Sequence, residues 1–98
     1  MWNDFVNYIL EEVADKTVNI AEVGVGQYDY VANILSQKEN INLIKIDIKP
    51  KDESIIKDDI TNPDLELYEH VNIIYSIILN MQIKLLVFLC GIVILNIM

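Results

Sequence analysis

Glu22, Gly24 and Gly26 form a Glu-x-Gly-x-Gly set within the stretch Val18 to Leu35, where an apolar run meets a helix-patterned segment. Glycine tolerates unusual φ and lets a ligand approach the main chain. A helix start beyond the turn aims free N–H groups into the same space. The pattern suits a nucleoside cofactor, and two classes compete for it. A dinucleotide site wants a third glycine at position 29, where the helix packs close to its strand and carries the pyrophosphate. This chain has Asp29 there. A carboxylate at that point repels pyrophosphate and answers the helix dipole by itself. S-adenosylmethionine carries no phosphate, and Glu22 would attract its amino group. Electrostatics therefore favours S-adenosylmethionine over NAD.

Further acids follow at the ends of later apolar runs. Asp47 lies twenty-three residues beyond Gly24, the spacing at which a strand-end carboxylate accepts hydrogen bonds from ribose hydroxyls. Asp58 and Asp59 follow a third short strand, where an acid can reach the exocyclic amine of adenine. Tyr75 and Ser76 close a fourth strand, across the switch point where ligands sit in doubly wound sheets, and would line the reactive end of the pocket. Packing alone accounts for Tyr75 equally well. His70, the single histidine, falls at an expected helix end and reads as a cap for carbonyls. The acids form no convincing acid/base dyad, no metal-ligand cluster is visible, and no residue is singled out as catalytic.

These residues need an α/β frame to bring them together. Residues 3–16 place Phe5, Ile9 and Val13 at intervals of four, with Glu11, Glu12 and Asp15 on the other side, as in an amphipathic helix. The first strand is Val18 to Val23, and a second helix spans Asp29 to Lys38. The second strand, Asn42 to Ile48, is rich in β-branched residues and is stopped by Pro50. Strand, helix and strand make a crossover, which requires parallel pairing. A short edge strand is expected at Ser54 to Lys57. Thr61-Asn62-Pro63-Asp64 predicts a helix start, with Thr61 or Asn62 as cap and Pro63 first in the helix, running to His70. Val71 to Ser76 is the fourth strand. The tail predicts a helix around Met81 to Phe88 and a fifth strand around Gly91 to Ile97.

Composition narrows the function classes. Fifteen acids against seven lysines, with no arginine and a net charge of −8, argue against a broad nucleic-acid surface. Guanidinium recognition of phosphate is impossible here. Eighteen isoleucines and ten asparagines look like coding bias from an AT-rich genome and weaken propensity arguments that rest on those residues. A single cysteine, Cys90, excludes a disulfide within the chain and reads as a small buried hydrophobe. No secretory leader is visible, so reduced cytoplasm is the default compartment. The uncharged run Leu85 to Met98 would be about 21 Å long as a helix, short of a ~30 Å hydrocarbon core. Extending it upstream buries Lys84. A membrane anchor built from residues 77–98 is the rival to a buried strand, and an apolar tail of this kind also invites self-association.

Four stretches, Ala21 to Ala32, Ile46 to Pro50, Lys57 to Tyr68 and Asn72 to Ile77, occur in an order that resembles a small archaeal family of unassigned function, uncharacterised protein family 0146. That resemblance covers residues 1 to about 77 and implies a fold similar to a shortened S-adenosylmethionine-dependent methyltransferase. By position it makes Glu22, Gly24 and Gly26 the first methyltransferase motif, Asp47 the ribose acid, and Asp58 and Asp59 the adenine-side acids. At Ile78-Leu79 the family pattern has Arg-Pro leading into an amphipathic helix. A frameshift, a degenerate C terminus or a diverged final helix and strand would each produce this change. The expected architecture is thus one three-layer, Rossmann-like domain over residues 1–98 with about five parallel strands in the order 3-2-1-4-5. Residues 78–98 form its diverged apolar tail. The expected function is a small-molecule pocket for S-adenosylmethionine, lined by Glu22, Gly24, Gly26, Asp47, Asp58, Asp59 and Tyr75. The alternatives are a non-catalytic cofactor-binding or regulatory remnant and a small membrane-anchored protein.

Overall fold

The structure, a computed structural model, describes residues 3–26, 29–76 and 93–96. It is an α/β fold around four parallel strands, β1 (Val18–Val23), β2 (Ile41–Asp47), β3 (Ile55–Lys57) and β4 (Ile73–Ser76). They lie in the order β3-β2-β1-β4, as the first four positions of the expected order. The segment Val93–Asn96 is extended. The expected helix at residues 81–88, like Cys90, lies outside the described residues. Among the described residues no helix is long and apolar enough to cross a membrane.

Alternation along the strands assigns side chains to two faces. Ile20 of β1, Ile41 of β2 and Tyr75 of β4 face helices α1 (Asn3–Val13) and α2 (Tyr30–Ser36). Helix α1 contributes Val6, Ile9 and Val13, and α2 contributes Val31 and Leu35. Their spacing of three and four residues forms one stripe on each helix. The ring of Phe5 meets Tyr75 edge-on, with centroids 5.2 Å apart, the geometry that aromatic quadrupoles favour. On the opposite face Ala21, Val23, Ile46 and Ile74 pack with Ile60, Tyr68 and Val71.

That second face departs from expectation. In place of a helix from Thr61 to His70, the chain forms a single 3-10 turn, Leu65–Tyr68, capped by Asp64, whose carboxylate accepts from the Glu66 N–H at 3.2 Å. Local side-chain bonds have taken the helix start. The Thr61 N–H and hydroxyl both donate to Asp59 Oδ1, at 2.9 and 2.7 Å, and the Asp64 N–H donates to Asp58. Short acids that satisfy nearby amides in this way offer the backbone an alternative to helix. Pro63 therefore sits outside any helix, in the irregular stretch before the 3-10 turn, and His70 ends no helix. His70 is exposed, and its carbonyl accepts from Asn19 Nδ2 at 2.8 Å.

Element edges moved for similar reasons. Strand β4 begins at Ile73 rather than Val71 because Asn72 is held by Asn19. The Asn72 N–H donates to the Asn19 carbonyl at 2.7 Å, and the Asn19 N–H donates to Asn72 Oδ1 at 2.8 Å. Helix α1 stops at Val13 because Ala14 turns left-handed, with φ 51°, while its N–H still reaches the Leu10 carbonyl at 2.8 Å. This is the left-handed helix ending that glycine normally supplies. The Cβ of Ala14 costs about 1–2 kcal/mol in that conformation. Ala14→Gly should therefore raise stability by about 0.5–1 kcal/mol after the added freedom of the unfolded chain is subtracted. Urea denaturation measures it, and an unchanged or lower midpoint would contradict the assignment.

Candidate functional site

The carboxyl ends of β1 and β2 are joined beyond the strands themselves. The N–H groups of Gly24 and Val25 both donate to the Ile46 carbonyl, at 2.8 and 3.3 Å. The next amide, that of Gly26, donates to Asp47 Oδ2 at 2.5 Å. Gly24 and Gly26 take φ of 73° and 64°, values that a side chain at these positions would oppose. The Lys49 N–H donates to the other oxygen of Asp47 at 2.9 Å. Parallel pairing in register, with Val23 opposite Ile46, is what brings a glycine turn and an acid twenty-one positions apart to one point.

Beside this point a cleft of about 250 Å3 is lined by Val23, Gly24, Asp47, Ile48, Asp58, Asp59 and Ile60. Among the described residues three carboxylates and no lysine line it. Asp58 accepts from the Asp64 N–H and from the Tyr68 hydroxyl at 3.4 Å. Asp59 is held by Thr61, and these hydrogen bonds, the hydroxyl one foremost, pull its carboxyl below the usual range. Burial first, and then the negative charges of Asp58 and Asp64, push the Tyr68 phenol up. The apolar part of the lining, Val23, Ile48 and Ile60, was not singled out in the sequence. Ile48 is 53% exposed, and an exposed branched residue directly after a strand-end acid is the signal that could have found it.

Of the seven expected site residues, Gly24, Asp47, Asp58 and Asp59 share the cleft, and Gly26 joins them through its bond to Asp47. Glu22 and Tyr75 do not line it. Both are wholly buried, on the helix-covered face, where the Tyr75 hydroxyl donates to Glu22 Oε1 at 2.5 Å. Among the described residues Glu22 Oε2 has no hydrogen-bond partner. Burial raises the Glu22 carboxyl from 4.5 to about 7. The Tyr75 bond and Lys45 oppose that rise, and Asp29 adds to it. Near neutrality Glu22 is thus only about half ionised, a weaker lure for an amino group than an exposed carboxylate. The Tyr75 phenol is raised in turn, by burial and by its acidic neighbour.

Asp29 also differs from expectation. It is the N-cap residue of α2, yet its side chain makes no capping hydrogen bond. Its two oxygens go instead to Lys45 Nζ, at 3.2 Å, and to Lys51 Nζ, at 3.3 Å. Those lysines hold its carboxyl below the usual range, the Lys45 bond most of all. The charge that was expected to repel phosphate is locally neutralised, so repulsion of an anion falls to Asp47, Asp58 and Asp59. No group of three or more metal-ligating side chains is found among the described residues.

Between pH 4.5 and 7 the folded protein keeps on Glu22 a proton that the unfolded chain has released. Stability should therefore fall as pH rises through that window, by about 3 kcal/mol in total. Glu22→Gln keeps an acceptor for Tyr75 and removes the titration. The difference in unfolding free energy between it and the parent chain should move in the variant's favour from pH 5 to pH 8. Parallel curves would show that Glu22 titrates normally.

Comparison with known proteins gives the chain a family. A curated relative described as UPF0146 protein, from Methanothermobacter thermautotrophicus, is 39% identical over 77 residues, which is 79% of this chain. The chain spans 57% of the length of that relative. The model of one family matches residues 2–89, extending past Ile77, where the resemblance was expected to stop. With most of its length matched, the chain belongs to the Uncharacterised protein family (UPF0146).

Proposed function

We propose that the cleft at the carboxyl ends of β1, β2 and β3 seats a nucleoside ligand without phosphate, of the S-adenosylmethionine class. The observation that carries this reading is the Gly26 N–H to Asp47 contact, which sets a ribose-binding acid against the glycine turn. An ionised carboxylate offers about four acceptor positions. Asp47 uses one for Gly26 and one for Lys49, which leaves room for the two hydroxyls of a ribose. The volume of about 250 Å3 lies just under the ~300–1,000 Å3 common for ligand pockets, so it suits a nucleoside better than a dinucleotide. Three carboxylates around it disfavour phosphate and favour a sulfonium or ammonium group. Val93–Asn96 runs parallel to β4, with Ser76 opposite Asn96, and in this reading completes the sheet as the fifth strand in the order 3-2-1-4-5.

Binding without catalysis is the second reading, and one observation favours it. The hydroxyl expected at the reactive end, that of Tyr75, is turned inward onto Glu22. Methyl transfer needs an acceptor as well as a donor, and the cleft residues name none.

Isothermal titration with S-adenosylmethionine, S-adenosylhomocysteine, adenosine and NAD tests the assignment. The first three should bind more tightly than NAD. Asp47→Asn keeps an acceptor for Gly26 but loses the charge, and should weaken them by about tenfold or more. Equal affinity for NAD, or no heat from any of the four, would remove the proposal.

A further inference from the structure

We propose that Asp29 sets the charge class of ligand at the glycine turn by serving as the chain's own anion, its carboxylate filling the place between Lys45 and Lys51 that a phosphate would otherwise take. The inference rests on reading the turn as a ligand seat.

Three observations converge on it. First, Asp29 is bound by two cations, one on each oxygen, at 3.2 and 3.3 Å. A bridging arrangement of this kind is how separate lysines hold a phosphate, as point charges around it. Second, the two lysines come from different places, Lys45 from β2 and Lys51 from the segment between β2 and β3. They converge on one carboxylate that begins α2. Third, Asp29 forgoes the bond its position normally makes. An N-cap aspartate usually accepts from an amide in the first turn, whereas this one is drawn wholly to the lysines. The Lys45 bond foremost, and Lys51 with it, hold its carboxyl below the usual range.

The neighbours sharpen the consequence. Lys45 lies opposite Glu22 in the sheet, and the charges of Lys45 and Lys51 also reach Asp52, so without Asp29 the two lysines would still face other carboxyl groups. Ligand choice at this turn is then a matter of occupancy: an incoming phosphate must displace a tethered carboxylate that is present at high effective concentration. A nucleoside held by Asp47 and the cleft makes no such demand. Asp29 is a specificity residue in this account, with no role in chemistry.

The test uses the full chain and inorganic pyrophosphate as the probe, followed by isothermal titration at low and high salt. Asp29→Ala should bind pyrophosphate about tenfold more tightly than the parent, and the gain should shrink at high salt. Asp29→Asn, which preserves the shape, should show the same direction and covers the case in which the alanine variant folds poorly. Adding Lys45→Met and Lys51→Met to Asp29→Ala should abolish the gain. Pyrophosphate affinity unchanged in both single variants overturns the proposal, as does a gain that survives loss of both lysines. Failure of the nucleoside reading is told apart by adenosine: its absence from the parent chain would sink that reading and leave the pyrophosphate result standing.

Discussion

Everything at the carboxyl end of this sheet depends on the ladder between β1 and β2 continuing past the last paired residue. The Ile46 carbonyl takes two successive amides, from Gly24 and Val25, and Asp47 takes the third, from Gly26. A turn held by three bonds to one neighbouring strand cannot drift from it. The two glycines, both left-handed, let the main chain bend sharply enough to present those amides in sequence. The acid and the turn are therefore one structural unit, and whatever binds there meets both at once.

Charge is sorted around that unit by the sheet itself. Lys45, Glu22 and Tyr75 lie in a row across β2, β1 and β4, with Glu22 and Tyr75 buried and Lys45 partly exposed at the end of the row. Asp47, Asp58 and Asp59 line the cleft at the strand ends. The inner row is tuned by desolvation, which drives Glu22 towards neutrality. The outer acids are partly exposed and each is held by hydrogen bonds from main-chain amides. Lysines serve as the counter-charges because the chain has no arginine, and a point charge on a flexible stem lets Lys45 and Lys51 converge on Asp29 from separate elements.

Much of the frame was legible before the fold was known. The apolar run ending at Glu22, the Gly-x-Gly turn and the acid at Asp47 are local patterns, and parallel pairing follows from the helix between the two strands. Less legible was the stretch from Asp58 to His70. Thr61-Asn62-Pro63-Asp64 has the composition of a helix start, but composition does not say whether Asp59 and Asp58 will claim the same amides first. Hydrogen-bond competition of that kind is decided by geometry within a few ångströms. The asparagine pair that delays β4 escaped notice for the same reason, since Asn19 and Asn72 meet only when the strands align.

What the amino-acid order determined by itself was therefore periodicity and punctuation: which runs become strands, where glycine allows the turn, and which acids end the strands. Those properties depend on residues within a few positions of one another. Tertiary structure alone decided which ionisable groups lose water and whom they meet. Glu22 and Tyr75 are fifty-three positions apart, and Asp29 meets one lysine from β2 and another from the segment beyond it. Desolvation and pairing are sums over neighbours in space, so a carboxylate read as a ligand's partner in the sequence becomes a buried, half-neutral acid or a clamped anion only once the sheet is assembled.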